Sequence, residues 1–315
     1  MKLLSMLILG AAVSAAFAAG PPLDRFCSPF DGNGCEVLWE APTNGLPATV
    51  KIFKVVPTKF SPETISNLLQ LAELTSKDRK QPPRGGVFDD KNILCYGDRA
   101  ETKHLLLLPS QGYIVLRREG ATAALKDEVV GVPEVRDALN LALGLLPKIG
   151  IPRSEIATNQ QRGLPVSLTE TTDFYKDKAT GQVVSNVISR AVSLTRQIDG
   201  IPVWGSAGVF AHFGNEAKLE ELTVTWRAIE PLRECAVPTA SEFLRAVKDG
   251  KTLIRDGERA AFKKLSITKV KLYYWESSGS ERQTRVYPFA VLEAKTDFAE
   301  ERSNVEIFVP FANDG

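Results

Sequence analysis

The sequence predicts an α+β protein made of α-β-β-β units, in which antiparallel sheets are each backed by one helix. Three observations carry this reading. Apolar residues recur at helical spacing in three separate stretches, each stretch is followed by three strand-like segments, and turn residues rather than long crossovers join those segments. The 315 residues are 43% hydrophobic and 24% charged, the composition of an ordinary globular protein with length for about two compact domains.

After a Pro/Gly-rich lead-in, Ala48 to Pro57 is rich in β-branched residues and reads as a strand. Ser61 then caps a helix with Pro62 in its first turn, and Ile65, Leu68, Leu69 and Ala72 supply its apolar stripe. Ser76 to Gly86 is a polar loop. Strands follow at Asn92 to Tyr96, Lys103 to Leu108 and Tyr113 to Arg118, separated by Gly97-Asp98 and Ser110-Gln111-Gly112. A second helix begins at Pro133, with Val135, Ala138, Leu139, Ala142, Leu145 and Leu146 on one face and Pro147 as its stop. Ser185 to Asp199 alternates as a long half-buried strand, followed by Gly208 to Phe213 and Leu219 to Ile229 around a Gly214-Asn215 turn. Thr239-Ala240-Ser241-Glu242 is a capping box that opens a third helix ending at Gly250. Its strands are Leu265 to Glu276, Thr284 to Ala294 and Val305 to Pro310. In the first, the inward set changes from Leu265 and Ile267 to Val270, Leu272 and Tyr274, which places a bulge near Thr268. The units span residues 61–118, 133–229 and 239–310.

The segment MKLLSMLILGAAVSAAFAAG has one cation, an apolar run from Leu3 to Val13 and the small-x-small site Ala16-Phe17-Ala18. It reads as a signal peptide over residues 1–18, and so places the mature chain outside the cytoplasm, secreted or extracytoplasmic. An N-terminal α+β domain is expected over 19–125 and a region with two α-β-β-β units over 126–315. Charges balance at 39 Lys+Arg against 38 Asp+Glu, which argues against a general nucleic-acid or anionic-membrane binder. No segment after the leader is long and apolar enough to span a bilayer. Cys27, Cys35, Cys95 and Cys235, an even number in an exported chain, read as two disulfides. Cys27–Cys35 with Cys95–Cys235 is the simplest of three connectivities.

Arg196-Gln197-Ile198-Asp199-Gly200-Ile201-Pro202-Val203-Trp204-Gly205, with the hairpin GVFAHFGNEAKLEELTVTW after it, resembles the signature of the PepSY and fungalysin/thermolysin propeptide family. The likeness is centred on residues 188–229. It implies a cystatin-like helix wrapped by a curved antiparallel sheet, and a module that binds, inhibits or helps fold a peptidase. The sequence given has no HExxH helix, so the peptidase implied is a separate chain.

The search for chemistry yields exclusions. Gly250-Lys251-Thr252 lacks the upstream glycine of a phosphate loop, and Asp31-Gly32-Asn33-Gly34 has Cys35 and Pro42 where a calcium loop needs ligands. His104 and His212, the only histidines, sit in strands and read as ordinary hydrogen-bonded side chains. No GxSxG element is present. Asp89-Asp90, Glu220-Glu221 and Glu300-Glu301 are adjacent pairs, which in extended chain point to opposite faces. No catalytic constellation, metal site or cofactor is therefore expected. Two binding patches are singled out: Ile201, Pro202, Val203, Trp204 and Gly205 as a binding edge, and Tyr273 with Trp275 beside Lys269 and Lys271 as a basic-aromatic face. The reading is an exported, non-catalytic binding or inhibitory module with a secreted peptidase or other extracellular protein as partner. The alternatives are a carrier of a small apolar or peptide ligand, and a hydrolase that uses carboxylates alone.

Overall fold

Two large sheets, in place of one small sheet per helix, organise the protein. The structure is a computed structural model that describes residues 27–30, 32, 34–42, 44–82, 92–118, 131–157, 166–176, 180–255, 262–297 and 304–311. The leader read over residues 1–18 lies outside them. In chain order the elements are β1 (Cys27–Phe30), β2 (Glu36–Trp39), β3 (Thr49–Val56), α1 (Pro62–Leu71), β4 (Arg79–Lys80), β5 (Leu94–Gly97), β6 (Lys103–Leu108), β7 (Tyr113–Arg118) and α2 (Val135–Leu145). Then come β8 (Val166–Lys176), β9 (Val183–Thr195), β10 (Gln197–Ile198), β11 (Ile201–Gly205), β12 (Gly208–Phe213), β13 (Leu219–Thr225), β14 (Ala228–Ala236), α3 (Ala240–Lys248), β15 (Thr252–Arg255), β16 (Lys264–Glu276), β17 (Arg285–Thr296) and β18 (Asn304–Pro310).

The first sheet is antiparallel throughout, in the order β4-β5-β6-β7-β13-β12-β9-β8. Here the expected α+β class with its α-β-β-β units is corrected: the described residues are mostly strand, gathered in two large sheets with three α-helices. The first two units do not keep separate sheets but join through their last strands, β7 against β13 from Tyr113↔Thr225 to Arg117↔Glu221. A three-stranded unit standing alone exposes two edges of unpaired backbone, and joining last strand to last strand removes one edge from each. Both α1 and α2 therefore back the same sheet. Leu68 and Leu69 from α1, with Ala72 that caps it, and Ala138, Ala142 and Leu145 from α2 share one core with Leu105, Leu116, Val192 and Val224 from the strands.

The second sheet runs β1-β15-β18-β17-β16-β11-β10, with β2 parallel to β16 and the β3–β14 pair attached to β17. It takes the three strands expected after the third helix and adds strands from the N-terminal lead-in and from both chain crossings. α3 keeps its capping box, with Thr239 and Glu242 bonded in both directions, and packs Phe243 and Val247 on Leu265, Ile267, Leu292 and Ile307. The bulge expected near Thr268 is a register shift between Ile267 and Lys269. The strand expected over Leu219 to Ile229 breaks at Trp226-Arg227, where the chain leaves the first sheet and enters β14 of the second.

A buried ionic cluster lies where the chain passes between sheets. Arg196 follows β9, Arg227 separates β13 from β14, and Glu276 ends β16. Glu276 and Arg227 are fully buried and Arg196 is 4% exposed. Arg196 donates to the Glu276 carboxylate at 2.8 Å and to the Arg227 carbonyl at 2.8 Å. Arg227 lies 3.8 Å from the other Glu276 oxygen and donates to the carbonyls of Ser277, Ser278 and Glu281 at 2.7 to 2.9 Å. Burial pushes the Glu276 carboxyl above the ordinary carboxylate range, while the two guanidiniums act to hold it charged. Removing one partner of such a cluster leaves buried charge uncompensated. Glu276→Gln is expected to cost about 3–5 kcal/mol, read from urea denaturation. A loss below about 1 kcal/mol would show that the two arginines are satisfied without it.

Candidate binding groove between the two helices

Two short helices on one wide sheet leave space between them. α1 starts at Ser61, whose hydroxyl accepts from the Thr64 amide at 3.0 Å, and stops when Glu73 turns left-handed at φ 53° so that the Leu74 amide can reach back to the Leu69 carbonyl at 2.8 Å. α2 is held at its start by Arg190, which donates to the Pro133 carbonyl and to Glu170 at 2.9 Å. At the other end Asn67 of α1 donates to the Lys148 carbonyl at 3.2 Å, which closes the space there. Between the helices lies an open groove of about 880 Å³. Leu71, Leu145, Phe213 and Leu219 give it an apolar floor, and Gln70, Glu73, Arg118, Asp137, Asn140 and Lys148 line its polar walls.

The rim holds strained backbone and fixed charge. Glu73 accepts from Lys103 at 2.7 Å and from Arg118, and these cations hold its carboxyl below the usual carboxylate range. The clamp is therefore complete above the ordinary glutamate value and is lost as the pH falls through the lowered one. Glu216 and Ala217 also carry positive φ, at 55° each, where the Ala217 amide donates to the Gly131 carbonyl at 3.0 Å. Left-handed backbone at a residue other than glycine costs of order 1–3 kcal/mol and concentrates at functional sites. Ala217 and Gly131 both line the groove.

The residues singled out from sequence lie elsewhere. Asp199 and Gly200, at φ 50° and 78°, form the two-residue turn between β10 and β11. β11 is not an open edge: it pairs with β10 on one side and runs parallel to β16 on the other, with Val203 opposite Tyr274 and Trp204 opposite Trp275. Ile201, Pro202 and Trp204 are half-buried, Val203 is buried and Gly205 is exposed. A Cβ on Gly205, whose φ is 107°, would lie 1.9 Å from the Glu276 carbonyl, so this glycine is required where the chain passes the ionic cluster. Trp204 meets Tyr273 and Phe308 edge-to-face, both at 5.2 Å. Tyr273, Trp275 and Lys271 are 5%, 4% and 7% exposed, and Lys271 pairs with Glu293. The basic-aromatic face is thus largely buried, with Lys269 exposed.

No disulfide joins the described thiols. Cys35, Cys95 and Cys235 are free, Cys95 and Cys235 lie in different sheets, and burial pushes all three thiols above their ordinary range. Cys27 lies in β1, and its side chain is outside the described residues.

One arrangement was hidden by the period-two reading. Between β12 and β13 the register slips, with His212 opposite Glu221 but Phe213 opposite Leu219. That bulge turns Glu220 as well as Glu221 to the face away from the helices. His212 then sits with Nδ1 3.2 Å from Glu220 and Nε2 2.7 Å from the Ser189 hydroxyl, while Glu221 pairs with Arg117 at 3.3 Å. The available signal was the spacing of three between inward Leu219 and Leu222. The order Ser–His–Glu is that of an acyl-transfer relay. Yet Ser189 is 1% exposed, which leaves a carbonyl carbon no approach to Oγ, and the neighbouring strand amides are in the ladder. The trio ties three strands together. His104 likewise bonds locally, to the Glu101 carbonyl at 2.7 Å. Among the described residues no three His, Cys, Asp or Glu side chains gather as a metal site.

Trp204→Ala separates packing from contact with a partner. Its ring closes a cluster with Tyr273, Phe289 and Phe308, so the substitution is expected to cost about 3 kcal/mol of stability. An unchanged melting temperature would return Trp204 to the surface reading.

No family model matches this chain, and no curated protein matches it. Among solved structures, the chain is similar to an uncharacterised protein from Eubacterium rectale ATCC 33656, known from a crystal structure. The TM-score is 0.43 at 11% identity, over 87% of this chain and 86% of that one.

Proposed function

We propose that this chain is an exported, non-catalytic binding module that holds a segment of another protein in the groove between α1 and α2. The observation that carries the reading is the placing of two helices from successive chain units over one continuous sheet, with an open apolar-floored trough of about 880 Å³ between them. The strain at Glu73 and Ala217 supports it, because the fold tolerates that backbone cost where the groove is shaped. The resemblance of residues 196–205 to propeptide modules supports a secreted peptidase as partner. In this reading Ile201 to Gly205 join the two sheets and do not make the contact.

The second reading, a carrier of a small apolar ligand, is favoured by the volume, which falls within the range of about 300–1,000 Å³ usual for small-molecule sites. The polar walls favour a peptide. A photo-crosslinking benzoylphenylalanine at Leu141, which is 39% exposed and lines the groove, is expected to capture the partner. The same group at Leu232, 46% exposed on β14 of the other sheet, is expected to capture nothing. Equal capture at both sites would remove the groove from the account. A small molecule carried through purification, visible as added mass by native mass spectrometry, would favour the carrier.

A further inference from the structure

The groove is bipolar and of definite length. It follows one face of α2 from Glu134 through Asp137, Leu141 and Gly144 to Lys148. α2 itself rises about 15 Å over the ten steps from Val135 to Leu145, and the flanking residues out to Glu134 and to Lys148 in the turn Pro147–Ile149 bring the face to about 20 Å, the reach of roughly six extended residues. Carboxylates stand at the open end, where Glu134, 80% exposed, already pairs with Arg190 at 3.6 Å and Asp137 is exposed. An ammonium stands at the closed end, on Lys148. Neither Asp137 nor the Lys148 ammonium has an ion-pair partner among the described residues. Gln70 and Asn140 present exposed carboxamides from opposite walls, each able to donate to a carbonyl and accept from an amide, as a peptide backbone requires.

Gly144 points the same way. It lies in the last turn of α2 in right-handed backbone, where alanine would make a more stable helix, and apart from its chain neighbours and its own helix backbone no described residue comes within 4 Å of the place its Cβ would occupy. No contact among the described residues requires a glycine there. A missing Cβ on a groove wall does let the backbone of an occupant approach closely.

We infer that the groove takes an extended peptide segment of about six residues, cationic at one end, anionic at the other and apolar between. Its cation meets Asp137, its anion meets Lys148, and its backbone passes α2 at Gly144. The inference rests on the groove reading above and gives its ligand a chemistry. The test uses three end-blocked, fluorescein-labelled hexapeptides in anisotropy titrations with the full mature chain: Lys-Leu-Thr-Val-Thr-Glu, Lys-Leu-Thr-Val-Thr-Lys and Glu-Leu-Thr-Val-Thr-Glu. The bipolar peptide is expected to bind at least about tenfold tighter than the others, as one charge-assisted contact allows.

Asp137→Lys is expected to move the preference to the Glu-ended peptide, and Lys148→Glu to the Lys-ended one. A gain for a new ligand cannot come from misfolding. Gly144→Ala is expected to raise the melting temperature while weakening binding, and Gly144→Gln to abolish it. Equal binding of all three peptides, still lost in Gly144→Gln, would overturn the ligand chemistry and leave the groove standing. Absence of binding by every peptide, or binding indifferent to Gly144→Gln, would overturn the groove reading as well.

Discussion

A single buried carboxylate, Glu276, set between two buried guanidiniums, holds the two sheets in one arrangement. Arg196 and Arg227 lie at points where the chain leaves the eight-stranded sheet, and Glu276 lies at the end of the longest run of the other. Taking such groups out of water costs several kcal/mol per ion, and attraction repays that only when the remaining donors and acceptors are also satisfied. The surroundings meet the condition in part: the Nη1 and Nη2 donors of Arg227 end on carbonyls of the loop from Ser277 to Glu281, while its Nε and the Glu276 oxygen nearest it make no hydrogen bond among the described residues. Arg196 adds a bond to Glu155 at 3.3 Å and lies 4.8 Å over the ring of Trp226, with its Nε left without a hydrogen bond among the described residues. Because the partners are spread over separate segments, the cluster forms only when both sheets are in place.

That joint decides where a binding surface can be. The strands β10 and β11, the second of which reads as a binding edge in sequence, are the link itself: the Ser206 amide donates to the Glu276 carbonyl at 3.1 Å and the Val203 amide to the Arg196 carbonyl at 2.9 Å. A surface tied down on both sides has little left to offer a partner. The eight-stranded sheet, in contrast, carries its helices outward. They meet each other chiefly through the turn Pro147–Ile149 and the Asn67–Lys148 bond, and so diverge from that end. Sheet closure between β7 and β13 fixes the floor, and the Glu73 clamp fixes one lip. The groove is therefore a consequence of how two units share a sheet.

Much of the local structure is legible in the sequence because it depends on neighbours in the chain. The Ser61 cap, the Thr239–Glu242 box and the slip at Thr268 are each written within a few residues and appear as read. What joins the elements is not written there. Any strand edge can in principle accept any other, so the pairing of β7 with β13, which turns two expected sheets into one, leaves no mark in hydrophobic periodicity. β14 hides for another reason: Pro231, Glu230, Arg233 and Glu234 lie in a mostly exposed strand, with neither alternation nor an apolar run. Arg227 looks like a solvent-facing residue by alternation and is fully buried, because the strand turns out of its sheet at that residue. The groove was illegible for the same reason as the sheet, since its walls come from helices whose separation is set by strand order. Gly144 was the one local trace, a glycine in an otherwise good helical stripe.

The central claim, that partners engage the helix-bearing face of the eight-stranded sheet, is tested most directly by amide hydrogen exchange with and without the bound partner. The account predicts added protection along residues 134–148 and at the end of α1 near Glu73, with Ile201–Gly205 protected to the same degree in both states. Protection that appears at residues 201–205 and leaves α2 unchanged would contradict it.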